Sequence, residues 1–241
     1  MESMPPIAEK LRQIQDSIAS ACVKADRKPD SAQLIVVTKT ASIEQIIEVA
    51  RAGFTELGEN RVQHLKQIAD QVSESLQASD QAHLASQIHW HMIGHLQRNK
   101  VKPTLQICTM IHSVDTLRLA EEIDVAAAKL HLHVPILLQV NCSEEPQKYG
   151  APVGAVIHLA EQIASMPNLR LEGLMTMAPL TMDKEVVRTA FARARELFEE
   201  IKSEKIAGSR FHHLSMGMSQ DYEIAIEMGA TMVRIGSAIF A

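Results

Sequence analysis

The sequence has few cysteines and few aromatic residues. Only three of its 241 residues are cysteines, Cys22, Cys108 and Cys142, and no two of them form a CxxC pair. This wide spacing argues against a disulfide framework. Free cysteines are typical of a reducing compartment, so we expect the protein to act in the cytoplasm.

A surplus of positive charge is missing as well. The formal net charge is −5 and the isoelectric point is near 6.1. Broad nucleic-acid binding usually needs a basic face, so this composition argues against it. The first residues lack the basic and apolar regions of a signal peptide, and no apolar run is long enough to span a membrane. We therefore expect no nucleic acid and no membrane among the partners.

The remaining composition is that of a globular protein. Hydrophobic residues make up 46% of the chain and charged residues 22%, both near the average for folded domains. A chain of this length can bury one sizeable core, and single α/β barrels commonly have this size. We predict one domain over residues 1–241, and such a short chain permits a monomer.

Short apolar segments alternate with amphipathic helical segments along the whole chain. The predicted strands are 34–39, 54–57, 88–94, 107–113, 134–140, 169–174, 211–214 and 231–235. No hairpin joins any two of them, so the strands must pair in parallel, and eight such units can close into a (β/α)8 TIM barrel. An additional helix within residues 1–30 is predicted to pack outside the barrel. The alternative is an open doubly wound sheet, but the turn 38–42 lacks the glycine that this fold normally uses.

Two further segments are of interest. Residues 73–87 are polar and rich in serine and glutamine, which predicts a mobile, partly helical surface extension. His89, His91 and His95 lie close together in the sequence. A zinc site would need further ligands, and the HExxH motif is absent. We favour packing or hydrogen bonding for these histidines and predict no metal site.

Lys39 ends the predicted first strand, which is apolar and rich in β-branched residues. An ammonium ion is costly to bury, whereas a desolvated lysine loses its proton readily and can attack a carbonyl carbon. We therefore predict that Lys39 brings an amine nucleophile to the mouth of the barrel. The alternative is a lysine that reaches into solvent and has no chemical role.

The loops after the predicted seventh and eighth strands contain serine and glycine. One loop begins with Ser215 and the other with Gly236 and Ser237. TIM barrels often bind a phosphate group at these two loops, where backbone N–H groups and hydroxyls can donate to it. Each loop alone is compatible with an ordinary turn. Together they favour a phosphate site, and a reactive amine beside a phosphate site suggests pyridoxal 5′-phosphate (PLP).

Arg234 lies inside the predicted eighth strand, between two apolar residues. A buried charge must be paired or must bind a ligand. One interpretation is a structural ion pair within the barrel. The other is a hydrogen bond from Arg234 to the pyridine nitrogen of PLP, which would keep that nitrogen unprotonated and weaken the ring as an electron sink.

The segments 37–39, 58–60, 91–100, 173–175, 214–219 and 232–236 resemble the pyridoxal phosphate homeostasis protein family. The resemblance spans about residues 33–241 and implies a single barrel similar to the N-terminal domain of alanine racemase, a fold type III PLP protein. It implies that Lys39 forms the Schiff base with PLP. The other cofactor-binding residues that it implies are Ser215, Gly236 and Ser237 at the phosphate, Arg234 at the pyridine nitrogen, and Asn60 and Met216 elsewhere in the pocket.

This family is associated with intracellular PLP (vitamin B6) homeostasis. Our first hypothesis is accordingly a protein that holds PLP on Lys39 as a Schiff base and influences its supply to PLP-dependent apoenzymes. Alanine-racemase-like enzymes add a domain with a tyrosine base, to which neither Tyr149 nor Tyr222 belongs. The alternatives are a PLP-dependent amino-acid racemase or other fold type III enzyme, and a Schiff-base aldolase that uses the same lysine without PLP.

Overall fold

Parallel strands form a closed barrel. The computed structural model describes residues 6–241, so the first five residues of the predicted segment 1–30 lie outside the described residues. The strands are β1 (Gln33–Val37), β2 (Glu56–Glu59), β3 (His89–Met92), β4 (Cys108–Val114), β5 (Val134–Asn141), β6 (Ala151–Pro152), β7 (Leu169–Met175), β8 (His213–Ser215) and β9 (Met232–Ile235). They pair in the order β4-β3-β2-β1-β9-β8-β7-β5, and a β4–β5 pairing closes the ring. The predicted TIM barrel is confirmed, and β6 is a two-residue strand that pairs in parallel with the end of β5.

Helices follow the strands and cover the outside of the barrel. They are α1 (Ile7–Lys24), α2 (Ile43–Arg51), α3 (Val62–Ala78), α4 (Ala82–Ala85), α5 (Val101–Leu105), α6 (Leu117–Leu130), α7 (Val156–Ala164), α8 (Lys184–Ser203), α9 (Tyr222–Glu227) and α10 (Ser237–Phe240). The predicted extra helix is α1, which contacts α2, α9 and α10. No helix within residues 6–241 is long and apolar enough to cross a membrane.

Several predicted boundaries were wrong by a few residues. β1 ends at Val37, so Thr38 and Lys39 follow the strand. β2 covers Glu56–Glu59 rather than 54–57, because its register is set by parallel pairing with β1 and β3. Local apolar character marks a strand more reliably than it marks the residues where pairing begins and ends.

The prediction for residues 73–87 needs correction. The segment is partly helical, as predicted, since α3 continues to Ala78 and α4 follows. It is not a mere surface extension, because Leu76 is fully buried. Leu65, Ile68, Val72 and Leu76 are spaced three or four residues apart, so one apolar face of α3 runs into the polar segment.

The barrel interior is part apolar and part polar. Its apolar side chains form a small cluster consisting of Ile35, Met110, Leu137, Met175 and Met232. The buried polar side chains of the barrel strands include His91, His112, Ser215 and Arg234. Buried polar groups are normally hydrogen-bonded, so the interior must contain a specific polar network beside the apolar cluster.

Candidate functional site

The residues predicted to bind a cofactor follow four neighbouring strands. β2, β1, β9 and β8 are adjacent in the ring and parallel, so their carboxyl ends lie on one side of the barrel rim. The residues in or just after these strands are Asn60, Lys39, Arg234, Gly236, Ser237, Ser215 and Met216. The carboxyl end of the strands is where TIM barrels bind their ligands.

Lys39 lies at this rim in a turn that its neighbours hold in place. Thr38 is fully buried; its N–H donates to the carbonyl oxygen of Gly58 (3.0 Å). Its hydroxyl donates to the carboxylate of Glu59 (2.9 Å). Lys39 itself is exposed, which corrects the expectation of a desolvated amine, because β1 ends two residues earlier.

A cavity of about 360 Å³ lies beside Lys39. Its lining residues are Lys39, Thr40, Asn60, Arg61 and His64. The volume falls in the range of roughly 300–1,000 Å³ that is usual for small-molecule sites. The cavity brings Lys39 together with Asn60, two of the residues singled out from the sequence.

Asn60 is positioned by Glu59, a residue without a predicted role. The Glu59 carboxylate is fully buried and accepts from the backbone N–H of Asn60 (3.2 Å), and its Oε2 atom lies 3.2 Å from Nδ1 of His64. Gly94 packs against the same loop so closely that a Cβ atom there would lie 2.2 Å from the carbonyl oxygen of Asn60. The loop after β2 is therefore fixed from two sides.

Gly236 lies against the end of β1. A Cβ atom on Gly236 would lie 2.8 Å from the carbonyl oxygen of Val37, so only glycine allows this approach. Ser237 is exposed and begins α10. The Ala238 N–H donates to Ser219 Oγ (3.4 Å), whereas the N–H and hydroxyl of Ser237 can donate to an anion. The turn of Gly236 and Ser237 lies next to the turn that contains Lys39.

Arg234 and Ser215 lie in the barrel interior below the rim. Arg234 Nη1 donates to Ser215 Oγ (2.7 Å), and Nη2 donates to the carbonyl oxygen of Thr176 (2.9 Å). Burial lowers the pKa of Arg234 to about 10, while the charge of Asp221 opposes this shift. The guanidinium therefore remains charged at neutral pH. It forms no salt bridge with any residue in the described part of the chain, so the first of the two interpretations, a structural ion pair, has no partner there.

Met216 differs from the other predicted residues. Its side chain is fully buried in the main hydrophobic core, and its N–H donates to the carbonyl oxygen of Met232 (3.1 Å). Strand alternation accounts for this position, since Ser215 faces the interior and the next residue faces outward. Met216 is not part of the cavity lining, and neither are Ser215, Arg234, Gly236 and Ser237.

A second polar group occupies the rim at the ends of β3, β4 and β5. The His95 ring stacks on Tyr149, with ring centroids 3.9 Å apart, and its Nδ1 atom lies 3.4 Å from Oδ2 of Asp115. Burial raises the pKa of Asp115, and the charge of His95 partly offsets the increase. Lys148 donates to the carbonyl oxygen of Ala178 (2.9 Å) and pairs with Glu145, so its amine is already engaged.

The chain is similar to a known protein family over almost its whole length. The family model described as alanine racemase, N-terminal domain, matches residues 10–241. The pyridoxal phosphate homeostasis protein of Aquifex aeolicus is 39% identical over 233 residues, with 96% of each chain covered.

Solved structures of a similar protein are also known. PipY of Synechococcus elongatus, solved without PLP, is 31% identical and superimposes with a TM-score of 0.85; 98% of this chain and 100% of PipY are covered. PipY with PLP bound superimposes with a TM-score of 0.80 at the same coverage and identity. The chain therefore belongs to the alanine racemase N-terminal domain family and, within it, to the pyridoxal phosphate homeostasis proteins.

Proposed function

We propose that this protein binds PLP reversibly on Lys39 and takes part in PLP (vitamin B6) homeostasis. The observation that carries the proposal is the meeting of an exposed lysine amine, a cavity and a glycine turn at neighbouring strand ends. The amine can form an imine with the aldehyde carbon of PLP, with loss of water. A PLP-bound structure of PipY, a relative of similar length, supports the same ligand here.

The donors present fit the other parts of PLP. Gly236 and Ser237 would hold the phosphate through their turn, together with the hydroxyl of Ser215. Arg234 would donate to the pyridine nitrogen, since its guanidinium has five N–H groups and has no carboxylate partner among the described residues. Asn60 lines the cavity, whereas Met216 would contribute only its main chain.

The roles of these residues favour a carrier over an enzyme. Bound PLP supplies an electron-withdrawing ring that can stabilise negative charge on an attached amino acid. A guanidinium donor at the pyridine nitrogen keeps the ring neutral, so Arg234 would weaken that effect. Lys39 would hold the aldehyde, and Asn60 and the glycine turn would orient it. We propose PLP-dependent apoenzymes as the recipients.

The remaining proposals concern the oligomeric state of the protein and its location in the cell. We propose that it acts as a monomer, which a short single-domain chain permits. Cys22, Cys108 and Cys142 are all free, which supports a reducing cytoplasm as the place of action.

Titration of the purified protein with PLP tests the proposed function. Binding on Lys39 is expected to give a visible absorbance band that saturates with one PLP per chain. Lys39→Ala should abolish the band. Lys148→Ala, which removes another lysine near the rim, should leave it unchanged, because the Lys148 amine is held by Ala178 and Glu145. A band that survives in Lys39→Ala, or is absent from the unaltered protein, would contradict the proposal.

A further inference from the structure

Polar side chains form a continuous line through the barrel between its two mouths. Glu56, at the start of β2, lines a cavity of about 700 Å³ at the amino-terminal mouth. His91 Nε2 lies 2.7 Å from Glu56 Oε2, and His91 Nδ1 lies 2.9 Å from His112 Nε2. His112 Nδ1 lies 3.0 Å from Ser215 Oγ, which accepts from Arg234. Each of the five side chains comes from a different strand.

This line crosses the barrel. His112 is on β4 and Ser215 is on β8, and these two strands are not neighbours in either direction around the ring. Their side chains can meet only in the interior. The five residues therefore form a strut that joins Glu56 at the amino-terminal mouth to Arg234 below the cofactor rim. We call these five residues the interior chain.

The two ends of the interior chain favour one direction for its hydrogen bonds. Arg234 can only donate, so Ser215 Oγ accepts from it, and without PLP the Ser215 O–H can donate to His112 Nδ1. His112 must then carry its proton on Nε2 and donate to His91 Nδ1. His91 in turn carries its proton on Nε2 and donates to the Glu56 carboxylate, which can only accept when ionised.

The charges of the surrounding groups favour this same protonation pattern. Burial alone would raise the pKa of Glu56, but hydrogen bonds from His91 and His89 lower it overall. Burial lowers the pKa of His112 well below its ordinary value, and the charge of Arg234 acts in the same direction. A negative Glu56, a neutral His112 and a positive Arg234 are thus mutually consistent at neutral pH.

We propose that Glu56, His91 and His112 are positioning residues that orient Ser215 and Arg234 for the cofactor from the opposite mouth of the barrel. This inference rests on the proposed function, because the cofactor that Ser215 and Arg234 would bind is PLP. The direction of the hydrogen bonds in the interior chain can be tested without PLP.

Two measurements on the full-length protein test this proposal. The first is nitrogen-15 NMR of the imidazole rings without PLP, which reports the tautomers directly. We expect both His91 and His112 to carry the proton on Nε2. The second is the dissociation constant for PLP, measured by absorbance. Glu56→Gln should weaken PLP binding about tenfold, the scale of one lost charge-assisted hydrogen bond.

The control variant is Asp30→Asn. Asp30 is a carboxylate that lines the same amino-terminal cavity, and it does not belong to the interior chain. It should leave the dissociation constant within about twofold of the unaltered protein. A general effect of charge at this mouth would weaken binding equally in both variants and would overturn the proposal.

The outcomes separate this proposal from the proposed function. A proton on Nδ1 of His91 or His112 overturns the interior chain, whether or not PLP binds. Normal PLP binding by folded Glu56→Gln overturns the positioning role alone. Failure of the unaltered protein to bind PLP overturns the proposed function. The histidine tautomers would still report the direction of the hydrogen bonds in the interior chain. If Glu56→Gln does not fold, His91→Gln provides the second variant, with the same tenfold loss expected.

Discussion

One buried carboxylate, Glu59, and one partly buried carboxylate, Glu56, accept hydrogen bonds at the two mouths of the barrel. Glu59 holds the Thr38 hydroxyl and the Asn60 N–H, so it fixes the turns on either side of the cavity. Glu56 accepts from His89 and His91 at the other mouth. A buried carboxylate is costly unless such partners satisfy it, so each acts as an anchor for the loops or side chains around it.

His213 makes the stability of the protein depend on pH. Burial is the main reason that its pKa is lowered to about 4, and the charges of His212 and His91 lower it as well. The unfolded chain takes up a proton near the ordinary histidine pKa of about 6.5. The folded chain resists that proton until about pH 4, so stability falls as the pH drops between these values. His213 is only partly buried, so solvent screening reduces its contribution to about 1 kcal/mol.

The variant His213→Asn tests this dependence. Urea unfolding near pH 7 and near pH 5 should show a smaller loss of stability in the variant, by about 1 kcal/mol. His83→Asn, at an exposed histidine, is the control and should retain the full loss. An unchanged pH dependence in His213→Asn would contradict the role of burial.

The sequence predicted some residues of the site and could not predict others. Lys39, Gly236 and Ser237 were identifiable because they end strands or follow them directly, and that position is visible in the apolar pattern. The importance of Glu56 and His112 depends on which strands face each other across the closed ring. A single sequence does not show which side chains meet across the barrel. The role of Met216 stays a prediction, and its side chain shows that a residue beside the rim can still face the outer core.

At the scale of elements, glycines allow the loops to approach one another at the rim. Gly94 after β3 and Gly236 after β9 each lie against the backbone of a neighbouring strand end.

The eight strands and their order of alternation with helices were predicted, because apolar periodicity is a local property. The start of β2 and the continuation of α3 to Ala78 were missed, because pairing register and a single buried Leu76 outweigh local polarity.

Gly94→Ala is expected to disturb the site through the loop after β2. A Cβ atom would lie 2.2 Å from the carbonyl oxygen of Asn60, and backbone must move to accommodate it. Overpacking of this kind costs about 1–3 kcal/mol. We expect a loss of stability of that size in urea unfolding, together with weaker PLP binding.

Gly154→Ala is the matched control, because a Cβ atom there would meet nothing within 4 Å. Its stability should stay within about 0.5 kcal/mol of the unaltered protein, with unchanged PLP binding. Equal behaviour of the two variants would show that the close approach at Gly94 has no energetic consequence.

At the scale of the whole molecule, α1 joins the beginning of the described chain to its end. Leu11 and Ile18 are fully buried, and Lys10 Nζ donates to the main-chain oxygen of Ala241 (2.8 Å). Arg27, just after α1, donates to the carbonyl oxygens of Ile226 and Ala230, each at 2.8 Å. We therefore predict that α1 and the barrel form a single domain and unfold together.

Leu11→Ala tests whether α1 and the barrel unfold together. The cavity should destabilise the protein by about 2–5 kcal/mol. Circular dichroism and tryptophan fluorescence should report one coincident transition, since Trp90 is on β3, far along the chain from α1. Val23→Ala, at a residue that is 60% exposed, should have little effect. Two separate transitions would contradict the single domain.

The central claim is that the amine of Lys39 carries the cofactor. Borohydride reduction of the PLP-treated protein, followed by peptide mapping by mass spectrometry, tests this most directly because reduction makes the linkage permanent. The account predicts a single phosphopyridoxyl group, located on the peptide that contains Lys39. A modification spread over many lysines, or located at another lysine with Lys39 unmodified, would contradict it.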